Sequence, residues 1–273
     1  MKPKAVDFHL SRIYWRVWWR LAKLRFTEQI INTRFSGLFF IVGKITRLLF
    51  QVAFLYLLLR QVKLFAGYDF YQSLLILFLL NFLSSLIQMF FRGAYHFRFN
   101  LINGFFDFFL VTPLDELFYS LLSYFDPLDA LLLPFSLGAV IWAWCRSGLA
   151  FNFANLFFFL FFLALALAFA LAWHIVALAL GLRFFVVDNF ILLYRDLEKM
   201  VRFPLEIYSH FLRWLLTYVF SVAVLAPLPV AVLFGKRSPW PLLPILFFLA
   251  VFQLLLAWRF WRFSLRLYSS ASS

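Results

Sequence analysis

The chain has 273 residues, 65% of them hydrophobic and 14% charged, with a formal net charge of +13. A soluble domain is about 45–50% apolar and about 25% charged, and it cannot hide this much apolar side chain, because a large share of its surface stays wet. The composition excludes a soluble globular protein. The basic residues flank apolar runs, so they point to anionic headgroups and topology control and not to nucleic acid.

The first 35 residues are charged throughout and contain no short apolar core followed by small residues. The mature protein is therefore expected to begin at Met1. Leu10–Arg25 reads as an amphipathic helix. Arg12, Arg16, Arg20 and Lys23 share one face, and Ile13, Val17, Leu21 and Leu24 another. Trp15, Trp18 and Trp19 suit the boundary between headgroups and tails. Such a helix serves as a surface anchor or as a lever that moves with the bundle.

A span needs about 20 mainly apolar residues, and six stretches qualify. They are Leu38–Leu59, Tyr71–Phe91, Leu128–Trp144 with Pro134, the long Leu149–Leu180, Phe211–Phe234 with Pro227 and Pro229, and Trp240–Trp258. The 42 phenylalanines fill helix–helix and helix–lipid contacts. The expected fold is an all-α integral membrane protein with six transmembrane helices. Its parts are an amphipathic interfacial N-terminus over 1–35, a transmembrane domain over 36–260 and a cytoplasmic tail over 261–273.

Charge sets the orientation. Eight Lys and Arg precede residue 36, two lie in 92–127, four in 183–210 and three after 258, seventeen in all, against five in the other connections. The positive-inside rule puts both termini in the cytoplasm. It leaves two long inner connections, Arg92–Pro127 and Arg183–His210.

Few residues suggest chemistry. Cys145 is the single cysteine, so no internal disulfide forms, and it reads as a small packed residue near a membrane end. The string Gly37–Thr46 fails as a phosphate loop: its glycines are one residue too far apart and Ile45 replaces the needed Ser or Thr. His9, His96, His174 and His210 show no metal-ligand spacing, and His174 reads as a hydrogen-bonded structural residue. Asp126 and Asp129 lie at a span start where water can reach them. Asn81, Gln88 and Gln253 fit interhelical hydrogen bonds. No metal, cofactor or catalytic set is expected.

The connection after the second span is the most informative stretch. Leu101, Phe105, Phe108 and Phe109 recur at helical spacing around Asp107, with Gly104 and Pro113 as punctuation. A short amphipathic helix ending before Thr112-Pro113 is expected. It either tucks under the bundle or docks a cytoplasmic partner.

Here the sequence resembles the ABC-2 family of transporter permeases, in the branch with six spans and no fused ATPase. The residues that carry the resemblance are Asn103-Gly104, Asp107, Leu110, Thr112-Pro113-Leu114 and Leu117-Phe118, followed by Asp126 and Asp129. Further similarity runs through Arg202-Phe203-Pro204-Leu205-Glu206-Ile207-Tyr208, Arg213, Leu216-Thr217 and Ala226-Pro227-Leu228-Pro229. It ends in Trp261 and the closing Arg266–Ser272. The chain departs from the pattern at Thr112, where the family often has a basic residue.

The resemblance implies a permease subunit of an ATP-binding cassette exporter in the cell inner or plasma membrane, without enzymatic activity of its own. It implies a second permease, the same or a related chain, and separate cytoplasmic ATPase subunits, with membrane lipids as surroundings. A cytoplasmic coupling helix between spans two and three would include Asn103, Gly104 and Asp107, with Pro113 ending it, and Leu10–Arg25 would be the connecting helix. The competing readings are an ATP-independent channel or carrier, a lipid-modifying enzyme and a membrane assembly factor. The first lacks a polar span face and the second a clustered His/Asp/Glu set.

Overall fold

The computed structural model describes residues 8–32, 34–62, 64–150, 152–184 and 186–269. The expectations that rest on Met1, Lys2, Lys4, Lys63 and the closing Ser270–Ser272 lie outside the described residues. Among the described residues the regular structure is helical, apart from one isolated bridge between Phe65 and Tyr68. Eleven α-helices form: α1 (Phe8–Asn32), α2 (Arg34–Gln61), α3 (Phe70–Ile102), α4 (Phe105–Val111), α5 (Glu116–Leu122), α6 (Pro127–Arg146), α7 (Phe153–Phe184), α8 (Val187–Met200), α9 (His210–Trp214), α10 (Pro227–Leu233) and α11 (Pro239–Arg266). Five of them, all but the first residue of α2 with α3, α6, α7 and α11, are long and apolar enough to cross a membrane.

Local signals start these helices. Asp69 and Gln72 close a capping box on α3: the Gln72 N–H donates to Asp69 Oδ1 at 2.8 Å and the Asp69 N–H to Gln72 Oε1 at 3.3 Å. Asp126 caps α6, accepting from the Leu128 and Asp129 N–H groups, with Pro127 in the first turn. α3 pairs with α6 and α7, and α7 with α11. The most apolar window of α3 is 72% buried and that of α2 only 6%, so α3 is the pivot of the bundle and α2 rides on its outside. Gly93 makes one contact possible: a Cβ there would sit 2.4 Å from the Ser120 carbonyl oxygen, so α5 crosses α3 directly on its backbone.

The expected fifth span, Phe211–Phe234, is not one helix. α9 passes into a π-helical turn over Leu215–Val219, Ser221 takes φ 56°, a 3-10 turn covers Val222–Val224, and Pro227 starts α10 afresh. Proline removes a donor and disfavours a helical residue before it, so Pro227 and Pro229 open a new helix where continuation of the old one was expected. Other helices supply the missing donors. Trp173 Nε1 donates to the Phe220 carbonyl at 2.8 Å, and Gln253 Nε2 to Tyr218 and Val219 carbonyls and to Ser221 Oγ at 3.1–3.4 Å. Irregular backbone at membrane depth survives only with such partners. The segment starts and finishes at one end: His210 and Arg213 of α9 line one cavity with Arg237, and Lys236, just past α10, donates to Gly67 O at 2.5 Å in the α2–α3 turn.

The expected inner connection, 183–210, is also revised. α8 runs back along the bundle instead of lying at its end. Val187 packs where a Cβ on Gly181 would come within 2.2 Å, and Tyr194 meets His174 edge-on at 5.3 Å. Phe203, just past α8, reaches Phe54 and Phe65 near the α2–α3 turn. A sequence reading for apolar runs passes over α8 because its charges, Asp188, Arg195, Asp196, Glu198 and Lys199, interrupt its apolar stripe.

Candidate functional site

The end of the bundle that carries α1, α4, α5 and the last turns of α11 holds the candidate residues. Asn103 closes α3: its N–H donates to Phe99 O at 3.1 Å, and its side-chain Nδ2 donates there at 2.8 Å. Gly104 takes φ 72°, a left-handed conformation that costs other residues about 1–2 kcal/mol. That reversal throws the chain into α4. Asp107 lies in the first turn of α4, and its Oδ1 accepts from the Tyr268 hydroxyl at 3.1 Å. Thr112 Oγ1 donates to Phe109 O at 2.7 Å and closes the helix; Pro113 follows, and Asp115 caps α5.

The structure thus brings Asn103, Gly104 and Asp107 into one turn and puts Pro113 beyond the other end of α4. The helix does end before Thr112, as expected, but Asn103 and Gly104 form the turn ahead of it and Leu101 belongs to α3. The inward face also differs. Phe106 is fully buried against Phe97, Trp261 and Tyr268, whereas Phe105, Phe108 and Val111 point out. Spacing alone could not settle which phenylalanines face inward, since seven residues of mostly Phe and Leu offer apolar groups on every side.

α1 straps this end. Tyr14 accepts the Asp115 N–H at 3.1 Å and meets Phe118 edge-on at 4.9 Å. Trp18 is buried against Phe90 and Phe125. The packed stripe of α1 is Tyr14, Trp18, Leu21 and Ala22, and the expected apolar face is partly free, with Ile13 and Leu24 exposed. Arg262 of α11 reaches Glu116 of α5 at 3.3 Å.

Charges inside the spans were the main omission of the sequence reading. Lys44, Arg47 and Arg213 lie within the expected apolar runs and escaped the count of connections. An ionisable residue in such a run is itself the signal that finds them. Asp129 is fully buried and ion-paired with Lys44, so water does not reach it as expected. Asp126 pairs with Arg92 at 3.4 Å. His174 is buried, its Nδ1 2.7 Å from Ala170 O, with Phe91, Tyr95 and Tyr194 around the ring. Gln253 and Asn81 make interhelical hydrogen bonds, Asn81 to Gln51 at 3.4 Å. Cys145 is exposed where a packed residue was expected. Among the described residues no three His, Cys, Asp or Glu side chains are grouped to hold a metal ion.

Long apolar helices around a hydrophobic core with a few cross-braced polar groups define a multi-pass integral membrane protein. The family model for the ABC-2 family transporter protein matches residues 45–272, so the chain belongs to the ABC-2 transporter family and is a membrane permease. A search of the curated proteins and a search of the solved structures each returned no match.

Proposed function

We propose that this chain is the permease subunit of an ATP-binding cassette exporter, working with a second permease and driven by separate ATPase subunits that dock on α4. Both termini and α4 then face the cytoplasm of a cell inner or plasma membrane. α8 supplies the sixth crossing in place of the broken segment, and the even number keeps both termini on one side. At about 1.5 Å per residue its 14 residues cover about 21 Å of a core of about 30 Å.

The observation that carries the reading is the two-sided build of α4. Its outer side offers Phe105, Phe108 and Val111 to a partner groove. Its inner side is fastened to α11 through Phe106, Trp261 and the Asp107–Tyr268 hydrogen bond. A partner that binds two positions of α4 unequally shifts the bundle between two packings, and the differential affinity sets how far. α11 pairs with α7, which pairs with α3, so displacement of α4 has a packed route into the spans.

The test is co-purification with the ATPase, followed by ATPase assay of the assembly. Gly104→Val strains the turn and Phe108→Asp charges the docking face; each should abolish capture. Tyr268→Phe removes a hydrogen bond worth about 0.5–1.5 kcal/mol, and should keep capture while lowering coupled activity several-fold. Undiminished coupling in all three variants would sink the docking reading.

A further inference from the structure

Midway along α2, thirteen residues from its start, stands Arg47, and it is exposed. It faces the upper half of α8. Two cavities meet there and share Arg47, Lys199 and Arg202 as a common wall. The smaller, about 40 Å³, is mainly polar: Asn81, Ser84 and Gln88 of α3 and Arg195 and Glu198 of α8 complete it, with Leu80 as its one apolar wall. The larger, about 350 Å³, is apolar on its other walls, Phe50, Phe54, Leu55, Leu77 and Phe203, apart from the single amide of Gln51. Phe50 and Phe54 are largely exposed, so the cleft opens sideways between α2 and α8.

The charges do not cancel. Arg47, Arg195, Lys199 and Arg202 face two carboxylates, Glu198 and Asp196, which leaves an excess of two positive charges. Asp196 is taken by Lys199 at 2.5 Å. Among the described residues no carboxylate closes an ion pair with Arg47, Arg195 or Arg202. Two net cationic charges at this depth are costly without an anion or water to offset them. A guanidinium pair is the side-chain chemistry best matched to phosphate and carboxylate groups.

We infer that the α2–α8 cleft binds an anionic amphipath, its phosphate or carboxylate head on Arg47 and Arg202 and its apolar tail along Phe50, Phe54 and Leu77. This names the chemical class of cargo and so rests on the permease reading. The same chemistry comes from a bilayer phospholipid or from a soluble anion, and the test separates them.

The full chain is purified with p-benzoylphenylalanine replacing Phe54 and irradiated with dodecyl phosphate or with the uncharged dodecanol, and adducts are read by mass spectrometry. The phosphate should label at least about tenfold more than the alcohol, a difference of about 1.4 kcal/mol. Arg47→Gln with Arg202→Gln should remove that preference, whereas the exposed Arg98→Gln should keep it. Arg47→Lys with Arg202→Lys retains charge and should retain labelling, which separates loss of charge from loss of fold. Competition by phosphatidylglycerol but not by inorganic phosphate marks a lipid-like ligand; competition by inorganic phosphate marks the head pocket as sufficient. Equal labelling by the two probes, preference that survives the Gln pair, or an adduct only to a second copy of the chain would overturn the inference. No ATPase is involved, so this result stands apart from the docking test.

Discussion

Removing Lys44 should destabilise the packing of α2 against the first turn of α6. Asp129 is fully buried and its charge is offset by Lys44 from another helix, 85 residues away. Lys44→Met keeps the length and apolar stem of the side chain and leaves the carboxylate alone. Breaking a buried pair from one side costs about 3–5 kcal/mol. At about 2–4 °C per kcal/mol for domains of 150–250 residues, the melting point should fall on the order of ten degrees. Replacing both partners, Lys44→Met with Asp129→Leu, removes both buried charges, and such exchanges are close to neutral or stabilising by about 1–4 kcal/mol. The double variant should therefore melt well above the single one. Thermal unfolding of the detergent-solubilised protein, followed by size-exclusion fluorescence, measures all three. A double variant no more stable than Lys44→Met, or a single variant that melts like the wild type, would refute the claim that Lys44 offsets a buried charge.

Gly93→Ala should push α5 off α3, because the new methyl would meet the Ser120 and Leu121 carbonyl oxygens at 2.4–2.5 Å. The expected loss is about 1–3 kcal/mol, read from the melting point of the purified protein. Trp173→Phe should orphan the Phe220 carbonyl at the bottom of the broken segment, costing about 1–3 kcal/mol. Hydrogen exchange should then quicken over 215–225 and little elsewhere; uniform quickening would show that the bond braces nothing local.

Several elements were legible in the sequence because their cause is local. Transfer of apolar residues into lipid sums along the chain, so α2, α3, α6, α7 and α11 stand where apolar runs stand, within a few residues at most ends. α3 and α11 are the exceptions: α3 continues to Ile102, well past Phe91, and α11 to Arg266, well past Trp258, because Trp261, Phe97 and Phe106 pack these last turns against each other and not against lipid. The candidate docking turn was legible too, since Gly104 and Pro113 mark backbone reversals that depend on their own covalent structure.

The rest was decided by partners remote in sequence. An apolar window cannot tell a straight span from the folded-back segment 205–233, because what permits the break is a donor from Trp173 and another from Gln253. Charge-rich α8 reads as a surface connection until Tyr194 and Glu198 are seen buried in the bundle. Asp129 looks soluble until Lys44 is placed beside it. Hydropathy is a property of each residue and its solvent, and the sequence by itself determined the membrane class and the long apolar helices. Satisfaction of buried polar groups is a property of pairs, and only the tertiary structure decided which helix breaks, which charged helix enters the bundle and where the uncancelled positive charge lies.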